Sequence, residues 1–300
     1  MIAIKSENLV KSLTTARLRI GVRAACVSLA TLTMVTVASV QAAHAGAMRR
    51  DLTYTPQQTL PGNDDGSTGR VDLGFTANFF GLNFNQLYVN NNGNITFDRA
   101  LSTFTPFGLT STASQIIAPF FGDVDTRSGN PVTYGSTTVD GRQAFAVNWD
   151  NVGYFSYGTN RTNSFQLVMV DRSDTGAGNF DFEFNFDRVQ WEAGSASGGV
   201  NGLGGSPARV GFSNGTGAPG SFFELAGSAV NGAFLDSNLT TGLIYNRLNS
   251  DVNGRYVFSA RNGSIQTEVP EPSSIIALFT LGALGVNAIR KGRKESTVSN

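Results

Sequence analysis

The stretch Phe180-Asp181-Phe182-Glu183-Phe184-Asn185-Phe186-Asp187 alternates aromatic side chains with acidic or amide side chains at every position. Successive side chains of a strand point to opposite faces, so this pattern predicts one strand with an aromatic face and a polar face. Val189 and Trp191 have the opposite parity, and one inserted residue near Arg188 would keep all the apolar side chains on one side. The sequence therefore predicts a strand whose Phe side chains lie in a core and which has a bulge near Arg188.

Alternation continues across residues 46–268, where no apolar stretch keeps a helical period for three turns. The run 165–170 has apolar side chains on both faces, so we expect it near the centre of a sheet. Asn92-Gly93 separates two further strand-like runs, which is a strong hairpin signal. The predicted fold class is all-β, a single antiparallel β-sandwich with long Gly- and Asn-rich loops, among them 194–205 and 213–220.

The composition of residues 46–268 excludes several kinds of chemistry. Cys26 and His44 are the only Cys and His of the chain, so this region contains neither type. It has no Lys, and the four Lys of the chain are Lys5, Lys11, Lys291 and Lys294. Disulfides, His- or Cys-activated nucleophiles, thiolate or imidazole zinc sites and Schiff bases are therefore excluded there. The region has 13 Arg against 19 Asp and Glu, a net charge of −6, which argues against a nucleic-acid partner.

The N-terminus has the layout of a secretory signal peptide. Basic residues precede an apolar run over 24–40, and Ala43-His44-Ala45 provides a small-x-small cleavage site before Gly46. We expect residues 1–45 to form a signal helix for Sec export that is removed after Ala45. The alternative is a retained membrane anchor, whereas Cys26 opens the apolar run instead of ending it and so argues against a lipoprotein.

The C-terminus combines three elements in order. Pro270-Glu271-Pro272 is polar and rigid, residues 275–289 are apolar, and Arg290-Lys291-Gly292-Arg293-Lys294 is basic, with a tail over 295–300. A membrane-spanning helix usually needs about 20 apolar residues, so an apolar helix here makes a marginal crossing that flanking residues extend. The basic residues would hold the end of the chain on the cytoplasmic side.

This C-terminal arrangement resembles the PEP-CTERM sorting signal of Gram-negative bacteria, over residues 269–294. The resemblance implies that an exosortase, a membrane Cys protease, removes the segment after a transient stay in the inner membrane. It also implies that the body of the protein is delivered outward together with exopolysaccharide. A plain C-terminal tail anchor is the alternative.

Several runs across about 75–260 together resemble a NIDO (nidogen-like) domain. The runs are Leu87-Tyr88-Val89-Asn90-Asn91-Asn92-Gly93-Asn94-Ile95-Thr96-Phe97, Ile117-Ala118-Pro119-Phe120-Phe121-Gly122-Asp123-Val124-Asp125-Thr126-Arg127, Ala144-Phe145-Ala146-Val147-Asn148-Trp149, Asn163-Ser164-Phe165-Gln166-Leu167-Val168, Asp181-Phe182-Glu183-Phe184-Asn185-Phe186 and Ala208-Arg209-Val210-Gly211-Phe212. In animals such domains occur in matrix and adhesion proteins, so the resemblance implies cell–matrix adhesion as a theme. It implies no particular bacterial partner and no particular binding residue.

Two carboxylates form a candidate calcium site. Asp123 and Asp125 follow a buried-looking run, and side chains at i and i+2 of a strand end point the same way. Carboxylate oxygens are suitable Ca²⁺ ligands. The alternative is a turn in which the Asp oxygens accept backbone N–H groups, with Arg127 as a partner. We predict no other cofactor.

Other carboxylates give a glycoside-acting enzyme as an alternative. Asp181, Glu183 and Asp187 share one face of the Phe-rich strand, and a pair of carboxylates can carry out glycoside hydrolysis. An acidic face opposite an aromatic face is, however, usual for a half-exposed strand. Asp174-Thr175-Gly176 matches the aspartic-protease triplet, but no second copy is present for the shared proton, so a hairpin loop is expected there.

Aromatic residues provide candidate sugar-binding positions. Tyr154 and Tyr157 lie in a loop-like run and suit contact with sugar rings, since one part of the side chain is apolar and its edge is polar. Trp149 and Trp191 are expected in the core. We therefore expect an exported, non-enzymatic surface protein that adheres within an exopolysaccharide or biofilm matrix. The alternatives are a glycoside-acting enzyme and a self-associating coat protein.

Overall fold

A computed structural model of the protein describes residues 46–267, which fold into two antiparallel sheets packed face to face. The first sheet contains β1 (Gln58–Leu60), β6 (Val124–Asp125), β7 (Val132–Val139), β8 (Arg142–Tyr154), β9 (Gly158–Asp171), β10 (Phe180–Val189), β13 (Arg255–Arg261) and β14 (Ser264–Gln266). The second contains β2 (Val71–Phe79), β3 (Leu82–Asn90), β4 (Asn94–Thr96), β5 (Gln115–Phe121), β11 (Arg209–Asn214) and β12 (Phe222–Glu224). Short 3-10 turns lie at Ser173–Thr175, Ser195–Ser197 and Leu243–Tyr245. The predicted antiparallel sandwich is confirmed.

The order of strands explains how distant segments meet. In the first sheet it is β1-β7-β8-β9-β10-β13-β14, with β6 paired to β8, and in the second it is β12-β11-β5-β4-β3-β2. The hairpin predicted at Asn92-Gly93 is confirmed, since β3 and β4 pair with Asn90 opposite Asn94. Because β5 lies in the second sheet and β6 in the first, the turn after β5 connects the two sheets at one end of the sandwich.

Aromatic side chains fill the space between the sheets. All four Phe side chains of β10 are completely buried, and Phe182 packs edge-on against Phe212 of the other sheet with ring centroids 5.5 Å apart. The pairing of β10 with β9 shifts register between Phe186 and Arg188. This is the predicted bulge, and it keeps Val189 and Trp191 fully buried despite their opposite parity.

Part of the outer face of the first sheet is also covered. Strand β9 lies between β8 and β10, as expected for a strand that is apolar on both faces. Val168 and Val170 on its outer side form a second apolar cluster, against which Leu52 and Tyr54 pack. These two residues belong to the N-terminal strap, the name used below for residues 46–57. The sequence did not predict that this strap lies across the sheet.

The segments predicted to be signal and sorting helices, 1–45 and 275–289, lie outside the described residues. Within 46–267 we find no helix of the length and apolar character that a membrane crossing requires.

Candidate functional site

A buried run of asparagines organises one end of the sandwich. Asn91 and Asn92, at the β3–β4 turn, are both 0% exposed. The Asn91 side-chain amide donates to the carbonyl oxygens of Asp64 and Val124, and the Asn92 amide donates to Asp65 Oδ1 at 2.9 Å. The Asn92 side-chain oxygen accepts the Val124 N–H at 3.0 Å. The loop between β1 and β2 is thereby held against the turn that follows β5.

Three carboxylates converge at this end and are called the acidic cluster below: Asp64, Asp65 and Asp123. One oxygen of each lies within 4.8 Å of the others. Asp123 is 1% exposed and accepts a long hydrogen bond of 3.4 Å from Ser197 Oγ. Among the described residues, Oδ1 of Asp64 is buried without a hydrogen-bond partner. Gly194 also borders Asp123, where a Cβ would come within 2.3 Å of its Oδ2.

The acidic cluster favours protonation of its members. Burial raises the pKa of Asp123 to about 7, and the charges of Asp64 and Asp65 add to the rise. Burial likewise raises the pKa of Asp64 to about 6, with the charge of Asp65 adding to it. Like charges held together out of water disfavour ionisation, and a bound cation would reverse that preference.

The structure groups Asp123 with Asp64 and Asp65 rather than with Asp125. Both oxygens of Asp125 bind Arg127, through Nε at 2.9 Å and Nη2 at 2.6 Å, and Oδ2 also accepts the Tyr157 N–H at 2.9 Å. Burial opposes ionisation of Asp125, but these hydrogen bonds outweigh it and hold its pKa below the ordinary value. Asp125 thus has the turn arrangement that was the alternative to calcium, with Arg127 as its partner.

The two candidate tyrosines occupy different environments. Tyr157 is 56% exposed, and the Arg127 guanidinium lies over its ring, 4.1 Å from the centroid. Tyr154 is 6% exposed, packs 6.0 Å from the Trp191 ring and donates from its hydroxyl to Asn160 Oδ1 at 2.6 Å. Tyr157 is therefore available to a ligand, whereas Tyr154 supports the core. Trp149 and Trp191 are fully buried, as expected.

Arg127 connects the aromatic and acidic parts of this end. Its Nη2 lies 3.3 Å from Asp64 Oδ2, while its guanidinium also stacks on Tyr157. We refer to Tyr157, Arg127 and the acidic cluster together as the loop-end site. The Asp64-Asp65 doublet in a loop was a visible signal in the sequence, but nothing in the sequence indicated that it meets Asp123.

The carboxylates of β10 are held by arginines. Asp181 forms ion pairs with Arg172 and Arg261, each at 2.7 Å. Glu183 accepts two hydrogen bonds from Arg49, at 2.9 and 2.8 Å. Burial alone would raise the pKa of Glu183, but the hydrogen bonds and charge of Arg49 hold it below the ordinary value. A carboxylate that is ionised and whose charge is balanced by an arginine is a poor proton donor.

The expectation of a half-exposed polar face on β10 is wrong for part of the strand. Glu183 is 7% exposed, because Arg49 of the N-terminal strap covers it, and Asn185 is 0% exposed. Asp174 lies in the loop between β9 and β10, where it pairs with Arg172 at 3.0 Å. The processing residues Ala43, Ala45, Pro270, Glu271, Pro272, Arg290, Lys291 and Arg293 lie outside the described residues.

Comparison with known proteins identifies two parts of the chain. Residues 85–262 match the nidogen-like domain, and residues 268–294 match the PEP-CTERM protein-sorting motif. Alpha-tectorin of Mus musculus is 34% identical over 212 residues, which cover 61% of this chain and 10% of alpha-tectorin. Nidogen of Drosophila melanogaster is 27% identical over 206 residues, which cover 60% of this chain and 14% of that protein. The chain thus spans about a tenth of the length of these relatives, and no solved structure matches it.

Proposed function

We propose that this chain, which belongs to the nidogen-like domain family, is a non-enzymatic adhesion component of an exopolysaccharide or biofilm matrix. It is exported and sorted to the cell surface, because it carries a PEP-CTERM motif. The observation that carries the proposal is the succession of these two parts, with the domain ending at 262 and the motif beginning at 268. Adhesion is the theme of the family, and the sorting motif supplies the bacterial setting.

The sorting motif implies an exosortase as the processing partner. Pro270-Glu271-Pro272 is its recognition element in this proposal, residues 275–289 are a transient inner-membrane span, and Arg290, Lys291 and Arg293 retain the cytoplasmic end. After removal of this segment the β-sandwich is the part that contacts the matrix.

The loop-end site is the proposed contact surface. Tyr157 is exposed and rests on Arg127, so its ring is held in place while much of its surface stays accessible. An aromatic ring packs against the apolar face of a sugar, and guanidinium and carboxylate groups bind its hydroxyls. A single such site binds weakly, and many copies on a polymer make the total attachment strong.

Calcium is the proposed ion for the acidic cluster. Asp123 is almost completely buried with one long hydrogen bond, and Oδ1 of Asp64 is buried without a partner among the described residues. Hard oxygen ligands of this kind suit Ca²⁺. A cation there would balance three nearby carboxylates and offer open coordination positions to sugar hydroxyls. Asp125, which we expected as a ligand, would instead position Arg127 and Tyr157.

Co-sedimentation tests the proposed function. The processed protein, purified from the producing strain, is mixed with exopolysaccharide from that strain, with Ca²⁺ or with EDTA. We expect saturable binding that weakens in EDTA. Absence of binding in both conditions would overturn direct polysaccharide recognition.

The two alternatives have their own measurements. The glycoside-hydrolase alternative requires release of reducing sugars from the same polysaccharide. The Arg-paired state of the β10 carboxylates supports the non-enzymatic proposal. The coat-protein alternative requires a particle size that grows with protein concentration in light scattering, without polysaccharide.

A further inference from the structure

Gly46, the residue that follows the expected cleavage site, lies directly against a carboxylate of β10. A Cβ on Gly46 would lie 2.4 Å from Asp187 Oδ1 and 2.6 Å from Oδ2. The backbone nitrogen and a Cβ are both bonded to the Cα, at bonds of about 1.5 Å, so they are about 2.5 Å apart. The Gly46 nitrogen therefore lies within about 5 Å of Asp187 Oδ1. The nitrogen that cleavage would expose is therefore already placed beside an acid.

The residues that follow Gly46 hold this geometry in place. Ala47 is 0% and Met48 7% exposed, and the Met48 N–H donates to Asp187 Oδ1 at 2.8 Å. Arg255 Nη2 donates to the Ala47 carbonyl oxygen at 2.7 Å. Asp187 also accepts a hydrogen bond from Arg50 Nε at 3.0 Å. The start of the N-terminal strap is thus fastened to the sheet within a few residues of the expected new end.

We infer that cleavage after Ala45 frees an ammonium group on Gly46 that pairs with Asp187 and locks the N-terminal strap onto the first sheet. In this hydrolysis, water adds across the Ala45–Gly46 peptide bond and leaves a carboxylate on Ala45 and an ammonium on Gly46. The unprocessed chain has only a neutral amide at this position. Export processing therefore adds an ionic contact that the precursor lacks. The inference rests on the expected cleavage site and is independent of matrix binding.

The absence of Lys from residues 46–268 makes the Gly46 amine easy to label selectively. Residues 46–268 contain no Lys, so the Gly46 amine is the one primary amine of that region after cleavage. A chain that still carries its C-terminal segment would add Lys291 and Lys294, which tandem mass spectrometry distinguishes.

Acetylation of the processed protein tests the inference. The protein is purified after export from the producing strain, its first residue is identified by mass spectrometry, and it is treated with an N-hydroxysuccinimide ester of acetate at pH 7.5. We expect Gly46 as the first residue. We expect acetylation about sevenfold slower in the folded protein than in urea, because an amine with a pKa of about 7.8 that rises by one unit has about a sevenfold smaller unprotonated fraction at pH 7.5.

A set of variants distinguishes loss of the Gly46–Asp187 ion pair from general damage to the fold. Acetylation should lower the Tm of the wild type and leave the Tm of Asp187→Asn unchanged. Arg50→Gln removes another partner of Asp187 but keeps the carboxylate, so acetylation should still lower its Tm. A first residue other than Gly46, or an equal fall in Tm for wild type and Asp187→Asn, would overturn the inference. If Asp187→Asn does not fold, Arg50→Gln decides, because an unchanged Tm on its acetylation also overturns it.

Discussion

Arg49 donates two parallel hydrogen bonds to Glu183, from Nε to Oε2 at 2.9 Å and from Nη2 to Oε1 at 2.8 Å. The two residues are 134 positions apart, and their contact joins the N-terminal strap to the polar face of β10. Arg255 approaches the same carboxylate at 3.6 Å. Strand β10, whose alternating sequence predicted a half-exposed polar face, therefore contains a covered ion pair. The carboxylate of Glu183 has a structural role in this pair.

Glu183→Gln should destabilise the fold. The substitution leaves Arg49 and Arg255 without the carboxylate that balances them in a largely buried setting. We expect a loss of about 2–4 kcal/mol in the free energy of unfolding, because a broken buried pair leaves an uncompensated charge. Urea denaturation at pH 7 measures the loss. The control is Asp174→Asn in an exposed pair, where we expect little change in the free energy of unfolding. Equal losses would contradict a larger contribution of the Arg49–Glu183 contact than of an exposed ion pair.

Stability without calcium should fall as pH rises from about 4 to about 7. The pKa values of Asp64 and Asp123 are raised in the folded state, to about 6 and about 7, whereas an unfolded Asp has a pKa of about 3.9. The folded protein therefore holds more protons in this window, and raising the pH favours the unfolded state. Urea denaturation in EDTA across this pH range measures the slope.

Asp123→Asn removes one of these titrating groups and should make that slope shallower. The control is Asp251→Asn, since Asp251 is an exposed carboxylate outside the acidic cluster. A slope that Asp123→Asn leaves unchanged would contradict the raised pKa of this carboxyl.

Calcium should reverse this loss of stability near neutral pH. Added Ca²⁺ should raise the Tm at pH 7.5 and have little effect at pH 5, where Asp64 and Asp123 are protonated. At a concentration of 100 times Kd, a ligand bound only to the folded state adds about 2.7 kcal/mol. Differential scanning calorimetry with Ca²⁺ and with EDTA provides the measurement.

Variants identify the residues that hold the ion. Asp65→Asn and Asp123→Asn should abolish the calcium-dependent rise in Tm, whereas Asp125→Asn should retain it, since Asp125 binds Arg127. If Asp125→Asn abolished the rise and Asp65→Asn did not, the ion would belong to the pair first predicted from the sequence.

Tyr157→Ala should weaken attachment to exopolysaccharide without unfolding the protein. The ring is 56% exposed, so its loss removes a contact surface and leaves the core intact. We expect the Kd in co-sedimentation to rise about tenfold, the effect of about 1.4 kcal/mol lost at one aromatic contact. Tyr245→Ala is the control, since it removes a tyrosine that is 36% exposed on another loop.

Tyr154→Phe should affect stability and leave binding unchanged. The substitution removes the 2.6 Å hydrogen bond from the Tyr154 hydroxyl to Asn160 and keeps the buried ring. We expect a loss of about 1 kcal/mol in the free energy of unfolding, the usual effect of one hydrogen bond. A binding defect in Tyr154→Phe as large as that of Tyr157→Ala would contradict the division between the two tyrosines.

Local pattern determined much of the fold. Alternation in β10, the change of parity at Arg188 and the turn at Asn92-Gly93 each predicted a feature that the structure confirms. These signals succeed because the direction of a side chain in a strand depends only on its position along that strand. The absence of Cys, His and Lys from 46–268 likewise restricted the available chemistry without reference to any contact.

Contacts between distant segments were decided by the tertiary structure alone. The strand order brings the loop of Asp64 and Asp65 to Asp123, lays the N-terminal strap over Glu183, and buries Tyr154 while Tyr157 stays exposed. Alternation shows which side of a strand is apolar, but it contains no information about which loop or strap will cover the other side. Packing therefore decided which residues form the loop-end site, because carboxylates about 60 residues apart interact only when the chain between them has folded.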